Sequence, residues 1–358
     1  MTFSDILALR LYNQHIINQK KFKTPAEVVD WLGAFQAQDY YGSLWSIGLR
    51  LQGITEADVE KAVEARTIAR TWPMRGTLHF VPPADLHWMV SLMAPRIISG
   101  AAKRYRDLEL DDKVFSKSRE VLIKALEGGR QITRSAAYEL LESEKIRADG
   151  QRGIHILSRF AMEGLLCFGP RDGKQFTFVL LEEWIPNGRK LAREEALARI
   201  AKKYFTGHGP ATLKDFSWWT GLPITEARKA LEMVRNEFES VTVDDQEFWF
   251  VPNGNLPSDK PETVFLLPGF DEFMLGYTNR DAMVEKEFRK RMAPGNGMFS
   301  ATVVVNGKVE GTWKREIKKD KVSVQFQPFR SFSAKVKAAA KRESKRYANF
   351  LGLDLTES

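Results

Sequence analysis

Apolar residues recur at helical spacing in the first two thirds of the chain, whereas the last third alternates apolar and polar residues. The spacing predicts a first helix over roughly residues 4–19 and a second one after the capping box at residues 24–27, with Pro25 at its first position. Helices follow in YYGSLWSIGLRL and after a second cap at residues 55–58. IARTWPMRG and TLHFVP predict two strands that turn at residues 75–76. Helices followed by a β-hairpin are the order of elements typical of a winged helix.

This order recurs twice along the chain. Between residues 112 and 181 we predict helices in VFSKSREVLIKALEGG, ITRSAAYELLESE and GQRGIHILSRFAMEGL, then a hairpin in LLCFGP and QFTFVLL. From residue 193 we predict helices in REEALARIAKKYFTGHG, TLKDFSWWTG and PITEARKALEMVRNEF, then strands in ESVTVDD and QEFWFVP. The copies share no obvious sequence identity, so the repeat is inferred from the pattern alone.

The pattern changes after Pro252. NGNLPSDKPE is typical of a loop or linker. The alternating segment that follows has turns at Asn306-Gly307 and Lys319-Asp320, and Asn-Gly between alternating strands is a strong hairpin signal. We therefore predict a small antiparallel sheet or barrel, followed by a helix from Ser333 to Leu351.

Together these elements predict an α+β fold of three tandem winged-helix units, a small antiparallel β-barrel-like element and a C-terminal helix. The predicted boundaries are 1–110, 111–190 and 191–255 for the winged helices, with the Gln-x-Gln motif in the first, and 256–358 for the β element and a basic helix. The length of 358 residues alone suggests two or three domains.

Composition excludes several classes of protein. Hydrophobic residues make up 43% of the chain, which argues against a largely disordered protein. A single cysteine, Cys167, excludes a disulfide framework and a multi-cysteine zinc site. No apolar run approaches the ~20 residues of a membrane span, and no signal peptide is evident. We expect a cytoplasmic protein without a membrane partner.

Positive charge is concentrated near the C-terminus. Residues 314–346 contain twelve lysines and arginines against three acidic residues, a net charge of +9. Because the whole chain carries +8, the rest of it is close to neutral. A local basic field attracts polyanions and favours nucleic-acid binding. The alternative is a solvated, lysine-rich helix.

Common catalytic and cofactor motifs are absent from the sequence. It contains neither a dinucleotide-binding nor a phosphate-binding glycine loop, no His-Glu-x-x-His, and no Gly-x-Ser-x-Gly. The five histidines lack metal-ligand spacing and are expected to make structural hydrogen bonds. We therefore predict no metal and no cofactor.

The polar segment Gln36-Ala37-Gln38-Asp39 is the remaining candidate for chemistry. If it is extended, Gln36 and Gln38 share one face, whereas in a helix they diverge by about 200°. The preceding helix should end near Phe35, which favours the extended conformation. Two amides on one face offer donors and acceptors without charge. Ordinary capping and loop hydrogen bonding is the alternative, and Asp39 in particular could cap the next helix.

Five segments in order, FQAQDYYGSLWS, RTWPMRGTLHFV, HGPATLKDFSWWTGL, LLPGFDEFMLGYTNR and MFSATVVVNGKVEGTWKR, resemble the winged-helix DNA glycosylase family of the AlkZ/YcaQ type. The resemblance covers most of the chain. It implies three tandem winged helices, a β-barrel-like element, and removal of N7-alkylated purines with unhooking of interstrand crosslinks. The family signature is Gln-aliphatic-Gln or Gln-aliphatic-Asp, which here reads Gln36-Ala37-Gln38, with Ala37 smaller than usual. The resemblance thus implies that Gln36 and Gln38 are catalytic.

These two amides are suited to hydrolysis of the N-glycosidic bond of a positively charged base. An N7-alkylated purine is already a good leaving group, so a strong general acid is unnecessary. A Gln36 or Gln38 carbonyl can orient the attacking water and stabilise an oxocarbenium-like sugar. No amine in the motif suggests a Schiff base, so we expect a monofunctional glycosylase. A crosslinked base cannot be flipped into a tight pocket, so we expect an open cleft.

Basic residues in two hairpins and in the C-terminal helix are the candidate DNA contacts. Arg75, at the tip of the first hairpin, could reach a groove or phosphate, and Arg70 flanks it; hydrogen bonds between wing and body are the alternative. His79 in the same hairpin could lie beneath the site. The residues expected to contact phosphates independently of sequence are Lys318, Lys319, Lys321, Lys335, Lys341 and Arg342.

Other notable residues are expected to be structural. Asp271 and Glu272 could suggest acid–base chemistry, but we favour an ion pair with Arg280. Four tryptophans are expected to pack in cores, with stacking on bases as the alternative: Trp45, Trp72, Trp218 and Trp219.

Two other functions compete with the glycosylase. The first is a non-catalytic DNA-binding protein or transcriptional regulator, since winged helices are most often regulators. The second, a protein–protein interaction module, is weakened by the +9 segment. For the glycosylase we expect a monomer, associated with the nucleoid, whose partner is double-stranded DNA with alkylated purines.

Overall fold

The structure is a computed structural model that describes residues 1–17, 21–252, 263–293, 295 and 297–356. The predicted linker NGNLPSDKPE lies outside the described residues. The α-helices are α1 (Phe3–Asn13), α2 (Pro25–Leu32), α3 (Tyr40–Gly48), α4 (Glu56–Glu64), α5 (Pro83–Gly100), α6 (Ala102–Asp107), α7 (Asp112–Leu126), α8 (Arg134–Ser143), α9 (Arg152–Met162), α10 (Leu181–Trp184), α11 (Arg193–His208), α12 (Leu213–Thr220), α13 (Ile224–Val234), α14 (Glu272–Leu275), α15 (Arg289–Met292) and α16 (Ala334–Leu351).

The strands are short, apart from the pair that forms the C-terminal hairpin. They are β1 (Phe35–Gln36), β2 (Ala69–Met74), β3 (Thr77–Val81), β4 (Ile132–Thr133), β5 (Leu166–Phe168), β6 (Thr177–Leu180), β7 (Glu239–Val243), β8 (Gln246–Phe250), β9 (Val264–Leu267), β10 (Thr302–Val305), β11 (Lys308–Lys318), β12 (Lys321–Pro328) and β13 (Asp354–Thr356).

The chain divides into two compact units. Unit 1 combines Met1–Lys61 with Leu197–Ser358, and unit 2 is the intervening Ala62–Ala196. This division differs from the four consecutive segments predicted from the sequence. The helices α1 to α3 belong to unit 1, whereas the hairpin β2–β3 belongs to unit 2. The grouping of the elements into three winged helices stays a prediction.

Local hydrogen bonds fix the starts of several helices. Thr24 accepts a hydrogen bond from the Glu27 N–H, and the Glu27 carboxylate accepts one from the Thr24 N–H, so the predicted capping box is confirmed. Thr55 and Asp58 exchange the same pair of bonds before α4. Ser333 caps α16 at the predicted position.

The first helix ends earlier than predicted. It stops at Asn13, because the residues that follow turn towards tertiary partners. The Asn13 amide donates to the Gly209 carbonyl (2.7 Å), and the Gln14 amide donates to the Tyr277 hydroxyl (3.0 Å). His15 has a left-handed backbone (φ 56°), which ends the helix.

Both repeated blocks contain the predicted order of elements. The second runs α7, β4, α8, α9, β5, β6, and the third runs α11, α12, α13, β7, β8. In unit 2 the sheet order is β4-β6-β5, with β5 and β6 antiparallel. Trp72 of β2 packs on this sheet, 5.0 Å from the Phe168 ring.

The C-terminal element is an open five-stranded sheet in the order β13-β12-β11-β10-β9. Its pairs are antiparallel except that β13 runs parallel to β12. Asn306 and Gly307 both adopt positive φ (50° and 83°), as the predicted two-residue turn requires. Lys319 does the same at the second predicted turn.

Helices α3 and α16 pack together in the core of unit 1. The Trp45 ring lies 5.0 Å from Tyr347 and 5.1 Å from Phe350. A Cβ at Gly48 would lie 2.3 Å from the Phe350 ring, so the approach of the two helices requires glycine there. The indole N–H of Trp45 donates to the Leu266 carbonyl of β9 (2.7 Å).

Candidate active site and nucleic-acid interface

The glutamine motif begins in the strand β1, Phe35–Gln36, as predicted for an extended segment, and the chain then bends at Gln38. Phe35 and Ala37 are buried, whereas Gln36 is half-buried and Gln38 is exposed. This alternation is that of an extended segment, in which residues two apart point to the same side. Gln36 and Gln38 are thus more exposed than the small Ala37 between them.

Asp39 fixes the end of the motif. Its carboxylate accepts a hydrogen bond from the Gly42 N–H (3.1 Å) and caps α3, which confirms the capping interpretation. A Cβ at Gly42 would lie 2.4 Å from the same carboxylate, so the cap requires glycine at that position. Gln38 consequently occupies the exposed bend directly before a well-anchored helix.

The main chain of Gln36 is held by a buried carboxylate. The Gln36 N–H donates to Glu272 Oε1 (2.9 Å). The other oxygen, Glu272 Oε2, accepts from the Trp219 indole N–H (2.8 Å) and lies 3.4 Å from His208 Nε2. These contacts join β1 to α11, α12 and α14, all within unit 1.

The side-chain carbonyl of Gln36 is a buried acceptor. Within the part of the chain that the structure describes, Gln36 Oε1 has no hydrogen-bond donor. A buried oxygen without a donor is costly, at about 1–3 kcal/mol. The rest of the Gln36 residue is partly exposed, and a small donor such as a water that reached this oxygen would satisfy it.

Asp271, the neighbour of Glu272, holds the helix after the motif. Arg50 donates to both of its oxygens (2.8 and 2.9 Å), and the Ser46 hydroxyl donates to one of them (2.5 Å). Arg50 and Asp271 are both completely buried. The paired carboxylates are structural, as we expected, but the arginine that pairs with Asp271 is Arg50, whereas we had proposed Arg280.

The basic C-terminal helix lies beside the motif. Helix α3, which begins two residues after Gln38, packs on α16 through Trp45 and Tyr347, although the two helices are far apart in the sequence. The Arg346 guanidinium donates to the Leu49 carbonyl at the end of α3 (2.5 Å). The outer face of α16 is exposed and carries Lys335, Lys337, Lys341, Arg342 and Lys345.

The basic hairpin belongs to the same unit. Lys318, Lys319 and Lys321 are exposed at its tip, with Lys318 close to Glu316 (2.8 Å). Midway along β11, where Arg315 is paired with Val324, its guanidinium lies 6.0 Å from the ring of Tyr41, three residues after Gln38. The glutamine motif, the hairpin and the basic helix thus come together in unit 1.

The arginines of the first hairpin lie in unit 2. Arg70 is only 3% exposed, and its guanidinium lies over the rings of Phe168 (4.6 Å) and Phe176 (4.3 Å). This placement agrees with a packing role between wing and body, and not with a phosphate contact. Arg75 is half-buried at the turn, where its guanidinium lies 3.1 Å from His79 Nε2.

Three of the four tryptophans are core residues, as predicted. Trp45, Trp72 and Trp219 are buried, whereas Trp218 is 48% exposed.

The side chains that most often bind metals are structural in the described part of the chain. His79 and His208 are fully buried. Burial raises the pKa of the Cys167 thiol. In the described ranges, no three His, Cys, Asp or Glu side chains are grouped to hold a metal ion. None of the helices described there is long and apolar enough to cross a bilayer.

Glu272 and Arg50, which support the motif and the helix after it, were not predicted from the sequence. Both are charged and fully buried, and such residues are almost always paired. The signal was the Asp-Glu pair inside the apolar segment GFDEFMLGY, whose expected partner, Arg280, differs from the partners in the structure.

Comparison with known proteins gives consistent matches. The model of the family described as "DNA glycosylase AlkZ-like" matches residues 29–350. A protein of Streptomyces sahachiroi, named "Interstrand DNA cross-link repair glycosylase", is 28% identical over 334 residues, which cover 87% of this chain and 88% of that protein. The solved structure of the Streptomyces sahachiroi DNA glycosylase AlkZ matches all of both chains with a TM-score of 0.79 at 23% identity, a likeness of fold. Because the family model spans most of its length, the chain belongs to the family of AlkZ-like DNA glycosylases.

Proposed function

We propose that this protein is a DNA glycosylase that hydrolyses the N-glycosidic bond of N7-alkylated purines in duplex DNA and unhooks interstrand crosslinks. Membership of the AlkZ-like family supports the reaction class. The relative named for interstrand crosslink repair supports the substrate class. The observation that carries the proposal is the pair of neutral amides at the half-buried Gln36 and the exposed Gln38, within the unit that carries the exposed lysines. Among the residues that the structure describes, none donates to the Gln36 carbonyl.

The proposed mechanism relies on positioning. Departure of the cationic base leaves positive charge on the sugar, and the carbonyl dipoles of Gln36 and Gln38 stabilise that charge as it develops. The same carbonyls accept hydrogen bonds from a water and aim its oxygen at C1′. Neither amide titrates near neutral pH, so neither acts as a strong base. Because the motif has no amine, the base is released without a Schiff base or β-elimination.

The direct test is release of 7-methylguanine from methylated duplex DNA. We expect the full-length protein to release the free base and leave an abasic site with an intact backbone. A crosslinked duplex should separate into two strands in the same assay after denaturation. Duplex binding without release would contradict the proposal and favour the regulator.

We further propose that duplex binding depends on the exposed lysines of unit 1. Replacing Lys318, Lys319 and Lys321 together by glutamine should weaken binding, because each lost phosphate contact removes counterion release. The slope of log K against log salt should become less steep by about 0.9 per contact. A fluorescence titration at several salt concentrations measures both quantities.

A charge-matched variant serves as the control for this prediction. Replacing Lys214, Lys286 and Lys290 by glutamine removes the same charge from exposed positions outside the hairpin. It should leave the slope close to that of the wild type. An equal loss of duplex affinity in the two triple variants would indicate that binding depends on net charge alone. That result would contradict a contact between the hairpin and DNA.

The protein is proposed to act as a monomer in the cytoplasm, on nucleoid DNA. Tandem DNA-binding repeats within one chain remove the usual need for a symmetric dimer. Light scattering with and without a short duplex should give one protein chain per particle, and a dimer that forms without DNA would contradict this.

A further inference from the structure

We infer that Glu272 is a positioning residue for base release, acting through the main chain of Gln36. This inference rests on the proposed function, since it assigns a role within the same site. The link is the hydrogen bond from the Gln36 N–H to Glu272 Oε1 (2.9 Å).

Burial excludes a direct role for this carboxylate. Glu272 is 0% exposed, so its oxygens do not reach a substrate on the protein surface. One oxygen is occupied by the Gln36 N–H and the other by the Trp219 indole N–H (2.8 Å). Its effect on the reaction therefore passes through the position of the Gln36 backbone.

The surroundings of Glu272 leave it little freedom. It is the first residue of α14, which Asp271 caps through the Phe273 N–H (2.8 Å). His208 lies 3.4 Å behind the carboxylate, and its ring stacks on Tyr204 (4.7 Å). A Cβ at Gly276 would lie 2.8 Å from the His208 ring, so this turn cannot shift towards it.

The fixed position of Glu272 is important for Gln36, because Gln36 is the last residue of a strand of only two residues. The Gln36 side chain projects from the Cα next to the N–H that Glu272 holds. Without that bond, the carbonyl oxygen of Gln36 would sample several positions relative to the sugar. A misplacement of about 1 Å can cost ~100-fold in rate.

The test is Glu272→Gln in the full-length protein. A carboxylate offers an acceptor to both N–H groups, whereas an amide has one carbonyl and places its NH₂ against the second donor. We expect the single-turnover rate on methylated duplex DNA to fall about 10- to 100-fold. The Kd for the duplex should stay within about twofold, because Glu272 does not face DNA.

A double-variant cycle separates positioning from general destabilisation. If Glu272 acts through Gln36, adding Glu272→Gln to Gln36→Ala should cause no further loss of rate. Amide hydrogen exchange at Gln36 should also be faster in Glu272→Gln. This last measurement does not depend on activity.

Asp215→Asn is the matched control. Asp215 is also buried in unit 1 (3% exposed), where it accepts from the Thr278 N–H (2.8 Å) and lies 3.7 Å from Arg10. This variant should lower the unfolding temperature but keep the wild-type rate per folded molecule.

The outcomes distinguish the two hypotheses. If the wild type releases no base, the proposed function fails and the inference fails with it. If release falls in Gln36→Ala but not in Glu272→Gln, the positioning role alone is overturned. Additive losses in the cycle, or an equal loss in Asp215→Asn, would also overturn it.

Discussion

Replacing Gln38 or Gln36 by alanine should slow the release of 7-methylguanine by at least about 100-fold, while duplex binding changes little. Loss of one preorganised dipole from a site where charge develops costs about 10²- to 10³-fold in rate. The single-turnover rate on methylated duplex DNA measures this effect, and a titration with undamaged duplex measures binding.

Two further variants control this prediction. Gln52→Ala removes an exposed glutamine that lies after α3 and should leave the rate unchanged. Gln38→Asp produces the other form of the family signature and should retain more activity than Gln38→Ala. Full activity in both alanine variants would remove the motif from the mechanism.

Replacing Arg50 by leucine should lower the free energy of unfolding by about 3–5 kcal/mol. The Asp271 carboxylate would lose its partner at a site where both side chains are 0% exposed, and an unpaired buried charge carries a cost of that size. Denaturant titration followed by circular dichroism measures the loss.

The surface offers a contrasting ion pair. Arg330 contacts Glu285 and Glu287 at exposed positions, so Arg330→Leu should change stability little. Combining Arg50→Leu with Asp271→Leu should recover part of the loss, because no unpaired charge is left. A similar loss for Arg330→Leu and Arg50→Leu would contradict the role given to burial.

Features set by neighbouring residues could be predicted from the sequence. The Thr24–Glu27 box, the Asn306-Gly307 turn and the Ser333 cap depend on bonds within a few residues, and all three are confirmed. The extended conformation of the motif was also predictable, because the Gly33 after α2 ends that helix before Phe35.

Features that depend on distant partners could not be predicted in this way. The carboxylate that holds Gln36 lies 236 residues further along the chain. The burial of Arg70 depends on Phe168 and Phe176, which belong to a different predicted repeat. The two-unit division has the same origin, since helical and strand periodicity does not encode which segments pack together.

The discontinuity of unit 1 has a consequence for the order of events at the ribosome. Gln36 emerges early, but its partner Glu272 is synthesised 236 residues later, roughly 10–50 s at typical rates of elongation. Helix α16, on which α3 packs, emerges later still. A nascent or truncated chain therefore carries Gln36 without the carboxylate that binds its main-chain N–H and without the helix on which α3 packs, so the motif reaches its final arrangement only as translation ends.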